Sequence, residues 1–316
     1  MRKQPRRFKG PAIWAALCFL APCLLPAQDA SPAPPLWLRL EEAKQALRDR
    51  QLGEAVYIYR DILSRAEKRG ETVPEAEMGL GIIFKEEGEL ELARLQFLSA
   101  WEHAGQLYVP DDRYTILYHL ADIYSLTYQF REYEKVLLQI IALGTGTENS
   151  LNPEIVAYHE AMYLGLLRNG PDRVFVLYRR NLENIQNACS ALGLYYYRTG
   201  YYRESLRNLI AAAVSTVTVA VEFKRQEVFD YEFTTLSAFI LQCRRDPGLA
   251  AYLGESRFYE NIYYLGAALF ALGEVSRARE TWDSLASALD FGDPLRDRTL
   301  GQLNSPYVEP LLRTRE

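Results

Sequence analysis

Leu80-Gly81-Ile82-Ile83-Phe84 opens a frame that continues through Gly88, Ala93, Phe97 and Ala100. The frame returns as Leu192-Gly193-x-x-Tyr196 with Gly200, Tyr202, Leu209 and Ala212, and again as Leu265-Gly266-x-x-Leu269 with Gly273, Ala278 and Trp282. Weaker copies are Ala43 with Leu52, Ala55 and Tyr59, and Leu120-Ala121-x-x-Tyr124 with Phe130. Small residues (Gly81, Ala93, Gly193, Ala278) stand where two antiparallel helices approach most closely. Large ones (Phe84, Phe97, Tyr196, Trp282) fill the gap to the neighbouring helix. Gly88, Gly200 and Gly273 let the chain reverse between helices, where a positive φ costs glycine little.

These residues resemble the tetratricopeptide repeat, which carries L-G-x-x-Y on its first helix and A-x-x-x-F on its second. Equivalent turn positions at Arg50, Gly88, Tyr128, Gly200 and Gly273 are separated by 38, 40, 72 and 73 residues. The last two steps are each close to twice the family period of roughly 34 residues. One degenerate hairpin is therefore expected near 153–186 and another near 216–250. The expectation is an all-α, right-handed α-solenoid of about seven antiparallel helical hairpins over residues 36–290. A single hairpin cannot bury its apolar face, so stacking supplies the core and leaves a long concave surface.

From Leu36 to about Leu289 hydrophobic residues recur at helical intervals, broken by short clusters such as Gly70-Glu71-Thr72-Val73-Pro74, Pro110-Asp111-Asp112 and Gly144-Thr145-Gly146. The β-branched run Val214–Val219 has the composition of a strand. With helices on both sides and no partner strand, it reads instead as an awkward helix start. Residues 28–35 (QDASPAPP) read as an extended tether. Residues 291–316, with Gly292, Asp293-Pro294 and Ser305-Pro306, read as an irregular C-terminal tail or cap.

Residues 1–27 read as a secretory signal peptide: Arg2, Lys3, Arg6, Arg7 and Lys9 precede an apolar run from Pro11 to Pro26, and Ala27 precedes Gln28-Asp29. That run is shorter than the ~20 apolar residues of a bilayer-spanning helix. Cleavage after Ala27 competes with lipidation at Cys23, because Leu20-Ala21-Pro22-Cys23 resembles a bacterial lipobox, although proline departs from its usual Gly or Ala. An uncleaved anchor is the third reading. No second apolar stretch reads as a transmembrane helix, so the mature chain is expected to be exported, periplasmic or envelope-associated.

The full chain of 316 residues carries 36 basic and 41 acidic residues. Without residues 1–27, which hold five basic and no acidic residues, 31 basic residues face the same 41 acidic ones. A chain this acidic lacks the electrostatic footprint that a nucleic-acid backbone requires. The mature chain keeps Cys189 and Cys243, which either form one disulfide or remain buried thiols in apolar helices.

Nothing in the sequence names a catalytic residue, a metal ligand or a cofactor site. His103, His119 and His159 have no second histidine or cysteine at ligand spacing, and nucleophile-elbow, phosphate-loop and dinucleotide motifs are absent. Gly144-Thr145-Gly146-Thr147 follows a helix and reads as a plain loop. The compositional oddity is 22 tyrosines, clustered at Tyr195-Tyr196-Tyr197, Tyr201-Tyr202 and Tyr259, Tyr263-Tyr264. Most such rings fill space between helices.

In the resembled family the first helix of each pair lines a concave groove, and positions flanking the L-G pair face the ligand. That resemblance implies a partner-binding groove at Lys44; Met78, Ile82 and Lys85; Tyr118, His119 and Asp122; Leu194, Tyr197 and Arg198; and Tyr263, Tyr264 and Phe270. Tyrosine and arginine bury large area at low entropic cost and keep a polar tip. The carboxylate clamp of chaperone-tail-binding members is missing, since its asparagine is replaced by Ile82, Asp122, Leu194 and Ala267. The implied function is a non-catalytic protein–protein interaction scaffold in the cell envelope, holding a peptide or partner protein. Two alternatives are a lipid-anchored assembly factor and an α/α-toroid enzyme acting on glycans, which would place two carboxylates in a central funnel.

Overall fold

The computed structural model describes residues 34–146 and 152–312; the signal peptide and Cys23 lie outside the described residues. The described chain is all-α, with fourteen α-helices and no strand. Ten of the helices form five hairpins in chain order: α1 (Leu36–Arg48) with α2 (Leu52–Glu67), α3 (Pro74–Glu86) with α4 (Leu90–Glu102), and α5 (Asp112–Leu126) with α6 (Phe130–Gly144). After α7 (Pro153–Leu177) come α8 (Glu183–Thr199) with α9 (Tyr202–Glu227). The elements α10 (Leu236–Arg244) and α11 (Pro247–Glu255) precede the fifth pair, α12 (Phe258–Ala271) with α13 (Val275–Ala288), and α14 (Pro294–Asn304) closes the helical part.

The five hairpins share one turn. Arg50, Gly88, Tyr128, Gly200 and Gly273 all have left-handed backbone, with φ from 58° to 87°. The following residue (Gln51, Glu89, Gln129, Tyr201 or Glu274) donates its N–H to the carbonyl five residues earlier at 2.8–2.9 Å. That bond satisfies one of the orphan carbonyls at the end of the first helix.

A second register runs inside each pair. Gly81 faces Phe97, Gly193 faces Leu209 and Gly266 faces Trp282, each partner sixteen residues further on. A Cβ on these glycines would come within 2.9, 2.6 and 2.5 Å of the partner side chain, so only a hydrogen fits at the crossing. Ala43 and Ala121 hold the position in the first and third pairs, opposite Tyr59 and Leu137, and all four are buried. Tyr59 is also covered from the next pair by Gly79, whose Cβ would lie 2.3 Å from the ring.

Stacking proceeds α2 on α3, α4 on α5, α6 on α8, and α8 with α9 on α12. Thus α6 packs directly on α8, and α7 does not intervene. Helix α7 instead lies against α9 and α13, and α10 lies against α13 and α7. The expected degenerate hairpins near 153–186 and 216–250 are therefore not copies of the others. Residues 153–182 and 228–257 lie outside the five pairs, with α7 on α9 and α13, α10 on α13 and α11 on α12, and 216–227 is the C-terminal half of α9.

Local chemistry explains the first of these segments. Gly170, at φ 79° and ψ 172°, breaks α7 ahead of Pro171. Arg277 of α13 donates to the freed carbonyls of Leu167 (3.0 Å) and Arg168 (2.8 Å). The run Val214–Val219 is not a helix start; it sits in the middle of α9. Its hydroxyls have work to do there. Ser215 accepts from the Leu182 N–H at 2.9 Å and Thr218 from the Arg180 N–H at 3.0 Å, while Thr216 accepts from Gln186 at 2.8 Å. A non-helical stretch lying on a core helix needs such partners for its backbone donors. Among the described residues α9 is the one helix long and apolar enough to cross a membrane, and most of its apolar stretch is buried in the bundle. Cys189 and Cys243 are both buried and unpaired, so the disulfide alternative is not formed.

Candidate functional site

The residues after α13 change the picture of the groove. The segment expected to be irregular begins as α14, started by Asp293, whose side chain accepts from the Leu295 N–H at 2.8 Å, and Pro294 at the first helical position. Helix α14 packs on α13 and α12. From Ser305 to Leu312 the chain then runs without helix across α12 and α8.

Glu309 is the centre of the contact. Its carboxylate accepts from the Tyr263 hydroxyl at 3.0 Å, from the Tyr264 hydroxyl at 3.5 Å and from the Arg298 guanidinium. The Arg298 guanidinium lies over both rings, 4.2 Å from the centroid of Tyr263 and 5.2 Å from that of Tyr264. Main-chain bonds extend the contact. The Glu309 N–H donates to the Tyr197 hydroxyl at 3.3 Å, the Leu312 N–H to the Arg198 carbonyl at 2.8 Å, and the Tyr307 N–H to Gln302 Oε1 at 3.0 Å. Gln302 Nε2 donates to the Tyr263 hydroxyl at 3.2 Å. Burial pushes the Tyr263 phenol up to about 12 and the Tyr197 phenol upward as well, so both stay protonated.

Tyr197, Tyr263 and Tyr264 were expected to face a ligand across an open groove. They are buried, and what covers their hydroxyls is this chain's own segment 305–312. Met78 and Leu194 are core residues, and Ile82 packs against the core. Phe270 packs 6.1 Å from the Trp282 ring. The Tyr118 hydroxyl joins α5 to α8, donating to the Asn184 carbonyl at 3.0 Å and accepting from the Ala188 N–H at 3.2 Å.

Lys85, His119 and Asp122 form a small cluster between α3 and α5. Lys85 Nζ donates to Asp122 at 2.6 Å and to His119 Nδ1 at 3.1 Å, and the imidazole stacks on Phe97 at 4.8 Å. Burial, helped by Lys85, pushes the His119 pKa down to about 4. Asp122 and Arg198 are exposed, and Lys44 is half-exposed beside Glu41 at 3.4 Å. Among the groove candidates Asp122 and Arg198 are the fully exposed ones.

Leu312 borders a cavity of about 910 Å³ between α6, α8 and the start of α9. Its walls hold the rings of Tyr128, Phe130, Tyr195, Tyr196 and Tyr201 together with Glu134 and Glu204. The Tyr196 hydroxyl donates to Glu134 at 2.7 Å. Ring faces beside carboxylates suit a cationic group better than an anionic one. Arg298, Gln302 and Glu309 were not legible as site residues, because they lie outside the repeat frame and no local motif marks them. Among the described residues, no group of three or more His, Cys, Asp or Glu is arranged to hold a metal ion.

No family model matches the chain, and no solved structure matches it. Over 218 residues, 67% of the chain, it is 27% identical to an uncharacterized protein of Treponema pallidum (strain Nichols), and it spans 57% of that protein's length.

Proposed function

We infer that the chain is a non-catalytic docking scaffold, a tetratricopeptide-like right-handed solenoid that holds an extended peptide or partner protein against the first helices of its pairs. One observation carries the reading. An extended stretch, Ser305–Leu312, lies across α8 and α12 at positions that the resemblance assigns to a ligand. The repeated turn and the sixteen-residue register support a stacked-repeat architecture, in which such a face is continuous from pair to pair. The cationic and apolar composition of residues 1–27 supports placing the scaffold in a cell envelope.

Site-specific photo-crosslinking tests the docking face. A crosslinker at Asp122 or Arg198 on first helices is expected to capture a partner in envelope preparations. One at Leu92 or Phe223, exposed on second helices, is expected to capture none. Equal yields from both faces would remove the groove from the proposal. The mass of the mature N-terminus separates a free residue 28 from an acylated Cys23, and so the plain scaffold from a lipid-anchored assembly factor.

The glycan-enzyme alternative rests on the cavity where Tyr195 and Tyr196 meet Glu134 and Glu204. It requires hydrolysis of a polysaccharide by the wild type that Glu204→Gln abolishes.

A further inference from the structure

We propose that the face formed by Tyr197, Tyr263, Tyr264 and Arg298 recognises an extended acidic segment of a partner protein, and that Ser305–Leu312 is its displaceable internal occupant. The proposal rests on the docking reading above and names the chemistry of the partner.

The way the segment is held separates an occupant from a structural strap. A strap anchors itself by burying apolar side chains, since burial is the dominant favourable term. Here none of those side chains is buried in the core, each keeping about half of its surface: Tyr307 is 52% exposed, Val308 42%, Leu311 51% and Leu312 40%. What binds is the main chain at 307, 309 and 312, which any sequence except proline supplies, and one carboxylate. Pro310, which has no N–H to give, falls between the two bonded positions 309 and 312.

The face also dictates what can replace the segment. With Glu309 withdrawn, Arg298 keeps its cation–π seat over the rings but loses its ion-pair partner, and the Tyr263 and Tyr264 hydroxyls lose their acceptor. A buried donor left without a partner is costly, so the vacated place selects a second carboxylate over a neutral side chain. The fitting partner is an extended stretch carrying a glutamate, with free main-chain N–H groups at that residue and three positions later.

The internal segment competes at a high effective concentration, on the order of millimolar for a short tether, and so masks the site against ligands in solution. Weakening its hold should therefore raise binding of the same sequence supplied separately. The probe is a fluorescein-labelled synthetic peptide with the sequence of Ser305–Leu312, followed by anisotropy on the full chain. Full chain carrying Glu309→Ala is expected to bind this peptide at least ~10-fold tighter than wild type, the scale of a lost charge-assisted hydrogen bond. On that variant, a peptide with glutamine in place of the glutamate is expected to bind ~10-fold more weakly than the parent.

Leu312→Pro provides a second opening that leaves the tyrosines and Arg298 untouched, since it removes only the bond to the Arg198 carbonyl; it too should strengthen peptide binding. Equal binding by wild type and both variants overturns the proposal, as does equal binding of the glutamate and glutamine peptides. Thermal unfolding of each variant verifies that the bundle is intact. Crosslinks from Asp122, on α5, do not depend on the segment, so they would survive a failure confined to this proposal and vanish if the docking reading itself were wrong.

Discussion

Gly266 faces Trp282 so closely that a Cβ on the glycine would lie 2.5 Å from the indole Nε1. The ring cannot retreat, because it is fully buried and its N–H donates to the Tyr263 carbonyl at 3.0 Å. Gly266→Ala is thus an overpacking change at a helix crossing, expected to cost about 1–3 kcal/mol and to lower Tm. Gly301, exposed within α14 with nothing near its missing Cβ, is the control. Gly301→Ala should stabilise by about 0.5–1 kcal/mol through helix propensity and a less flexible unfolded chain. Denaturant melts of the two variants check both signs.

Tyr128 occupies, at φ 58°, the left-handed turn position that Gly88, Gly200 and Gly273 occupy in other pairs. An L-residue there carries a conformational penalty of about 1–2 kcal/mol. The side chain offers little in return, being 79% exposed and in edge contact with Phe130 at 6.1 Å. Tyr128→Gly is expected to stabilise by about 0.5–1 kcal/mol, and Gly88→Ala to destabilise by about 1 kcal/mol. The midpoint of chemical unfolding reads both.

His159 is buried in α7, where burial, with Arg180 and Arg207 adding to it, pushes its pKa down to about 4. Its Nε2 has no hydrogen-bond partner. Unfolding releases the ring to its ordinary value near 6.5. Between those values the unfolded chain binds more protons than the folded one, so stability falls as pH falls from about 6.5 towards 4. His119 acts in the same direction. Tm measured from pH 7 to pH 5, above the range of ion-paired carboxylates, should decline in the wild type. His159→Gln should flatten that decline by about half, and an unchanged slope would contradict the assignment.

Cys189 and Cys243 have no exposed surface, and burial pushes both thiols up to about 12. Thiolate is the reactive form, so neither should be labelled by a thiol reagent in the native protein. Both should react once the chain is unfolded in guanidinium chloride. Rapid labelling of one thiol under native conditions would mean that its helix opens locally.

The sequence by itself determined the helical class, the five equivalent turns and the small and large residues of the crossings, while α14 and the course of α9 escaped it. What it determined is local: a glycine or alanine opposite a bulky residue sixteen positions on, and a chain reversal seven positions after the small one, are set by helix geometry and steric size. Two degenerate hairpins read from the same period were not there, because period counting assumes that every segment joins the stack. The break at Gly170 and the hydroxyls of Ser215 and Thr218 show why residues 153–182 leave it: Arg277 of α13 takes the freed Leu167 carbonyl, and the two hydroxyls of α9 take the Leu182 and Arg180 N–H groups.

The tertiary structure alone decided what happens on the inner face. The resemblance assigns Tyr197, Tyr263 and Tyr264 to a ligand-facing groove, whereas the structure buries all three and brings their hydroxyls to segment 305–312. The partner of their hydroxyls is Glu309, more than 40 residues beyond the nearest of them, which the chain brings back through α14. No local pattern encodes a hydrogen bond made at that separation: main-chain donors look alike in every sequence, and one glutamate among 41 acidic residues is singled out only by where the chain brings it.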